Sequence, residues 1–325
     1  MTLDAAILTS LRAAPWISGA DLSIRLGVTR AAIWARIEEL RRTGYQIEAS
    51  PHSGYRLLAC PDCIHADDLH SRLGAVRVIG RDIRVFQETT STSDVLERLA
   101  RDGVPEGMVV FAETQTRGRG RLGRTWISPS GRGLWFSVLL RPQLRPQAVT
   151  RMTVAAAVAL SRAIRSELPL RPEIKWPNDL MIHGQKIAGV LTEMSAELDS
   201  VRHVGLGIGV NVNQAENEFP PELREAATSL RLALGRTVDR AALASAMLRE
   251  LDTVYTEVVE GRFPAICSEW SEECTTLGRM VSVGTGPRTI TGRAEALDEE
   301  GALLVRTDHG RLERVIGGDV TLQKE

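Results

Sequence analysis

Between Arg117 and Trp126 the chain reads RGRGRLGRTW, with Gly118, Gly120 and Gly123 in the spacing G-x-G-x-x-G and four arginines set among them. A dinucleotide-binding turn with this spacing needs a strand before it, a helix directly after it and an acidic residue about 20 positions on. The chain instead continues RTWISPSGRGLWFSVLL, a proline and more glycine leading into a strand, with Arg-Pro-Gln-Leu-Arg where the acidic residue should stand. No Gly-Lys-Ser/Thr closes the run, so a Walker loop is excluded as well. A Gly/Arg alternation can form a loop that brings guanidinium groups and backbone N–H donors around several negative charges. A solvated basic turn or an RGG-like tail is the plainer reading, and Trp126 with its flanking strands argues against a tail.

Lysine is the second chemical signal. Of 40 basic residues only Lys175, Lys186 and Lys324 are lysines. A compact, mobile ammonium does what a planar guanidinium cannot at a crowded phosphate or carboxylate. The two internal lysines stand in KWPNDLMI (175–182) and GQKIAGVLTE (184–193). Asn178 and Asp179 offer oxygens that suit magnesium beside phosphates, although Asn-Asp after proline is also ordinary turn chemistry.

These residues need elements to hold them. Alternating patterns predict strands at IRVFQE, GMVVFAE, GLWFSVLL, EIKW, KIAGVLTEMS and VRHVGLGIGVNVN, a helix at TSDVLERLA and a long helix from Pro146 to about Leu168, an α+β set with a mixed sheet. Further upstream, Ser18 and Thr29 are natural N-caps on either side of GVT. Leu22 and Leu26 line one short helical face, Ile33, Ile37 and Leu40 line the next, and Gly44 ends it. YQIEA and YRLL around PHSG complete a winged helix-turn-helix. Six arginines (25, 30, 36, 41, 42, 56) against Glu38, Glu39 and Glu48 leave this stretch at +3. Winged helices also bind proteins; the motif and charge favour DNA, with Thr29, Arg30, Ala31 and Trp34 nearest base edges. Trp34 is equally able to be a packing residue.

A length of 325 residues implies two or three domains at roughly 150 residues each. The net charge of −1 gives no global attraction to nucleic acid or membrane, so any such surface is local. No apolar run approaches the roughly 18 residues of a membrane span, and MTLDAAILTSLRAAPW lacks a basic segment before its apolar part, so a cytoplasmic protein is expected. Four cysteines, in the pairs Cys60/Cys63 and Cys267/Cys274, fit a reducing compartment. Zinc at CPDC with His52 and His65 is the lesser reading against simple reduced thiols.

In order, GRGRLGRTW, KWPNDL, KIAGVL and GIGVN resemble the biotin–protein ligases through most of residues 85 to 215. With the winged helix, the chain looks like the bifunctional branch that joins a biotin ligase to a repressor of biotin biosynthesis. The resemblance implies a winged-helix DNA-binding domain (1–64), a ligase domain (65–274) and a small C-terminal β-barrel (275–325), the last read on RMVSVGTG through GDVTLQKE. It implies condensation of biotin and ATP, with Mg2+, to biotinyl-5′-AMP, then transfer to a lysine of a biotin carboxyl carrier protein. It also implies operator DNA as a partner and a homodimer when the adenylate is bound.

Residue by residue, the resemblance assigns biotin to Ser91, Thr92, Gln115, Gly118, Arg119, Arg121, Lys186, Gly189 and Gly207. ATP falls to Arg121, Arg124, Trp126, Asn178, Lys186 and Asn211, with Gly209 on the same strand as Gly207 and Asn211. Lys186, Arg121, Arg119 and Lys175 take the catalytic roles, and Asn178 and Asp179 the magnesium. Ser93 stands where relatives often carry Asn, and Trp34 and Ala35 where they are often more polar. A regulator that senses biotin or its adenylate without turnover is the alternative, and retention of both internal lysines and every loop arginine speaks against it. Lipoate attachment uses a related fold, but GRGRLGRTW beside KWPND fits biotin better.

Overall fold

A computed structural model describes residues 2–197, 199–285 and 288–322. The chain forms two compact units, one from the N-terminal residues to Ala75 with Asp239–Ser245, the other from Val76–Val238 with the chain from Ala246 onward.

The first unit holds α1 (Leu3–Ala13), α2 (Gly19–Leu26), α3 (Arg30–Arg42), the hairpin β1 (Gln46–Ser50) and β2 (Gly54–Ala59), and α4 (Ala66–Leu73). The Ser18 hydroxyl accepts from the Asp21 N–H and that of Thr29 from the Ala32 N–H, each satisfying a donor that the first helical turn leaves open. Gly27 ends α2 at φ +66, a left-handed conformation that glycine adopts without penalty. Ile33, Ile37 and Leu40 meet Leu22 in a dry core. Ile7, Leu8 and Leu11 of α1 complete that core, so Leu3–Ala13 is an integral helix of this unit. Arg36 donates to Asp4, fastening α3 to α1, and Arg12 pairs with Asp68 of α4.

The second unit is built on a seven-stranded sheet. Its strands are β3 (Asp82–Thr89), β4 (Met108–Gln115), β5 (Gly133–Leu140), β6 (Glu173–Lys175), β7 (Asp179–Ile182), β8 (Gln185–Glu197) and β9 (Ser200–Asn211), in the order β3-β4-β5-β9-β8-β7-β6. Only β3 and β4 run parallel; the other neighbours are antiparallel. Every residue of β5 is buried, as expected of a central strand covered on both faces. Helix α5 (Thr92–Arg101) packs on β4, β5 and β9, and α6 (Thr150–Glu167) on β7 and β8. Pro146–Val149 form a 3-10 turn, so the α-helix begins four residues later than the sequence pattern places it. Residues beyond the sheet add α7 (Leu230–Leu234), α9 (Phe263–Glu273) and, from Ala246 on, α8 (Arg240–Val259), whose first residues belong to the first unit.

The same unit ends in five antiparallel strands, β10 (Met280–Thr285), β11 (Arg288–Leu297), β12 (Leu303–Arg306), β13 (Leu312–Val315) and β14 (Asp319–Leu322), ordered β13-β12-β11-β10-β14. The expected β-rich C-terminal element is therefore present. Among the described residues its end strands β13 and β14 are not paired with each other, so hydrogen bonding leaves the sheet open. Lys324 lies outside the described residues. Among the described residues no helix is long and apolar enough to cross a membrane.

Candidate active site

The arginine–glycine loop folds back on itself. The Trp126 N–H donates to the Gly118 carbonyl at 2.9 Å and the Gly120 N–H to the Arg124 carbonyl at 2.7 Å, with short bridges between Gln115 and Ser128 and between Arg119 and Thr125. At its tip Leu122 stands at φ +55 and is 68% exposed, a strained conformation for a branched side chain and an apolar group in water. The loop thus returns as a hairpin into β5, and no helix comes after it. Its inner side covers a cavity of about 400 Å3 above β8 and β9.

Ser91, Thr92, Gln115, Arg119, Arg121, Arg124, Trp126, Lys175, Asn178, Asp179, Lys186, Gly189, Gly207, Gly209 and Asn211 all line this one cavity. Gly118 does not. It lies behind Gln115, where a Cβ would run into the Trp126 carbonyl and come within 2.9 Å of Ser128 Oγ. Its role is to let the loop pass close to β4.

One wall is polar. The Ser91 hydroxyl caps α5, and Gln115 Oε1 accepts from the Thr92 N–H at 2.9 Å, while Gln115 Nε2 donates to Ser128 Oγ at 2.8 Å. Ser137, fully buried on β5, shares hydrogen bonds with the Thr92 and Ser93 hydroxyls at 2.8 and 3.2 Å. Ser93 Oγ also stands 2.9 Å from where a Cβ on Gly207 would be, which is why that strand position carries no side chain.

The floor is a glycine strip. Gly189 and Gly209 are register partners on β8 and β9, and the Trp126 indole lies across both. A Cβ on Gly209 would overlap the ring, and one on Gly189 would stand 3.0 Å from it and 3.1 Å from Lys186 Nζ.

The opposite wall is charged. Lys186 Nζ pairs with Asp179 Oδ1 at 2.5 Å and sits 5.2 Å from the Trp126 ring centre. Arg121 donates to Asn178 Oδ1 at 3.1 Å, and buried Asn178 donates onward to the Val190 carbonyl at 2.8 Å. Both side chains assigned to magnesium therefore face cations. Among the described residues no group of three or more His, Cys, Asp or Glu could hold a metal. One carboxylate, Asp179, does suit a magnesium ion that arrives with most of its oxygens supplied by phosphates and water. Arg119 points away from Lys186, toward Glu193 at 2.9 Å and Asp94 at 3.2 Å. Burial pushes the Glu193 carboxyl up, Arg119 pulls it down, and Asp94 and Glu97 push it up again. Asn211 uses its amide internally, donating to the Thr228 carbonyl and accepting from Gln214 Nε2.

Ser137 and Gln214 are participants that the sequence motifs do not assign, and Glu193, the last residue of GQKIAGVLTE, enters as the partner of Arg119 and not as a lining residue. Gln214 is 2% exposed and lines the cavity, yet its Oε1 has no partner.

In the first unit Arg30, Ala31 and Trp34 are exposed on α3, and Trp34, at 59%, is not a packing residue. Thr29 uses its hydroxyl as the helix cap. Four of the six arginines counted toward a phosphate surface are held internally: Arg36 by Asp4, Arg41 by Glu38 and the Ile47 carbonyl, Arg42 by Glu39 and Arg56 by Glu48.

A mixed sheet whose glycine floor, α5 cap and arginine hairpin converge on one lysine, joined in sequence to a winged helix, defines a ligase-type fold with a helix-turn-helix module. Residues 85–213 match the model of the Biotin/lipoate A/B protein ligase family, residues 5–56 an HTH domain and residues 276–322 the biotin protein ligase C terminal domain. The chain is 38% identical over 307 residues to the bifunctional ligase/repressor BirA of Bacillus subtilis, covering 94% of each chain. It is 29% identical to that of Escherichia coli K12, over 94% of this chain and 92% of the other. The biotin protein ligase of Aquifex aeolicus, solved with biotin and ATP, superposes with a TM-score of 0.64 at 30% identity, covering 75% of this chain and all of that one. The chain belongs to the biotin protein ligase family, in its bifunctional ligase/repressor branch.

Proposed function

We propose that the protein condenses biotin with Mg-ATP to biotinyl-5′-AMP, transfers the biotin to a lysine of a biotin carboxyl carrier protein, and represses transcription through its winged helix on operator DNA. The observation that carries the ligase reading is the convergence of Lys186, Arg121 and the Ser91–Thr92–Gln115 network on a single cavity. Two anions must meet there: a biotin carboxylate oxygen attacks the α-phosphorus and pyrophosphate leaves. Lys186 and Arg121 offset that repulsion, which matters most where water is excluded. Arg119 and Arg124 add charge from the loop, Trp126, Asn178 and Asn211 border the nucleotide, and Lys175 supports the phosphates. Ser91, Thr92 and Gln115 hold biotin, with Gly118, Gly189, Gly207 and Gly209 keeping the walls close. Asp179, with Asn178 beside it, would hold the magnesium of Mg-ATP, which would offset phosphate charge there. In the second step the acceptor amine attacks the biotinyl carbonyl and AMP leaves.

The modules we propose are 1–64 for DNA, 65–274 for catalysis and 275–325 as a small barrel-like β module whose end strands β13 and β14, among the described residues, are not paired with each other. Adenylate-linked homodimerisation would give two helix-turn-helix units the two-fold arrangement of an operator. ATP, the carrier protein and DNA meet in the cytoplasm, where we place the protein.

The test is transfer of labelled biotin to a purified apo carrier domain, with Mg-ATP present or omitted. Nucleotide-dependent labelling, lost in Lys186→Met, is the expected result. Tight biotin binding without labelling would overturn ligation in favour of a sensor.

A further inference from the structure

The face of α3 that the winged helix leaves open carries little free charge over its first turns. Its exposed residues there are Arg30, which opens the helix, and Ala31, Trp34 and Ala35, at helical spacing away from the buried Ile33, Ile37 and Leu40. Arg36, Arg41 and Arg42 on the same helix are held by Asp4, Glu38 and Glu39. In this unit the exposed guanidiniums with no ion pair among the described residues are Arg25, near the end of α2, and Arg30, at the start of α3. Charge that can meet phosphate therefore stands at the edge of the reading face, and an indole stands within it.

In the major groove the one apolar feature of any base is the thymine 5-methyl, and thymine adds the O4 acceptor beside it. An indole offers an apolar body and a single N–H that only donates. We infer that Trp34 is the specificity residue of the DNA site and reads thymine through its methyl group, flanked by Ala31 and Ala35, while Arg25 and Arg30 hold phosphate. This rests on the DNA-binding half of the proposed function. Ala31 and Ala35 matter because they are small: they let the backbone of α3 approach closely enough for the ring to reach the groove floor.

The experiment uses the full chain with biotin and Mg-ATP to select duplexes from a random pool. Each thymine of the winning duplex is then replaced in turn by deoxyuridine, which removes the methyl and keeps O4. For the parent protein we expect about threefold to tenfold weaker binding at one or two positions. Trp34→Ala should lose that sensitivity, and Trp34→Phe, which keeps an apolar ring, should retain it. Uniform tolerance of deoxyuridine, or undiminished sensitivity in Trp34→Ala, would overturn the inference while leaving DNA binding intact. Failure to select any duplex would overturn DNA binding and the inference together, and a loss of self-association in Trp34→Ala would then assign the face to protein contact.

Discussion

Arg119 of the glycine–arginine loop, which lines the cavity, and Glu193 of β8, 74 residues apart in sequence, form an ion pair at 2.9 Å, and Asp94 makes the second contact. Without ligand, these carboxylates hold a cation that the proposed reaction needs over its anions. Glu193→Gln should release it. Exposed ion pairs contribute roughly 0.2–1 kcal/mol, so biotin affinity measured by calorimetry should tighten about twofold to fivefold. Weaker binding would mean that Glu193 positions Arg119 for the ligand and does not compete for it.

Trp126 lies across Gly209 with no room for a methyl group between them. Gly209→Ala should displace the indole and lower nucleotide-dependent labelling by roughly tenfold or more, since forced overpacking costs about 1–3 kcal/mol. Gly205→Ala is the control on the same strand: its Cβ would meet a Leu96 methyl at 3.3 Å and nothing closer. Equal effects in the two variants would refute a specific role for the Trp126 contact.

Gln214 Oε1 is a buried acceptor without a donor. An orphan of this kind is destabilising until something donates to it. Gln214→Leu removes the orphan together with the donor to Asn211 Oδ1, so the melting temperature should change little, and the KM for ATP should increase by about twofold to tenfold, the range of one hydrogen bond. An unchanged KM would show that no substrate uses this atom.

Asp298 sits at the turn between β11 and β12. Burial would push its carboxyl up, but the Arg314 guanidinium and the N–H groups of Ala302 and Glu300 outweigh that and hold it below the usual range. A depressed folded-state pKa stabilises above the unfolded value, near 4, and that contribution disappears as pH falls through the folded value. Asp298→Asn should therefore speed hydrogen exchange of the β11 and β12 amides at pH 7, by roughly 1–3 kcal/mol of local stability, with the difference shrinking below about pH 4. A difference that persists unchanged at pH 2 would show that packing, and not the ionised carboxylate, is responsible.

Sequence determined what is local. Ser18 and Thr29 cap where their spacing places them, the strand at 133–140 falls on its near-continuous apolar run, and Gly44 ends α3 because a left-handed residue is needed there. Motifs also named most of the charged and glycine residues that line the cavity, because loops that approach phosphate need glycine and arginine in close spacing, while apolar lining residues such as Phe219, Leu223 and Val320 went unmarked. Tertiary structure alone decided the rest. That Arg119 faces Glu193, that Ser137 joins the Thr92 network, that Gln214 is left with an open acceptor and that Arg36 is held by Asp4 all depend on pairings between distant segments. Such pairings leave no periodic trace in the chain. Side-chain charge and hydrogen-bonding capacity are written in the sequence, but whether a group is engaged or free is fixed only when the folded chain brings its partner within about 3 Å.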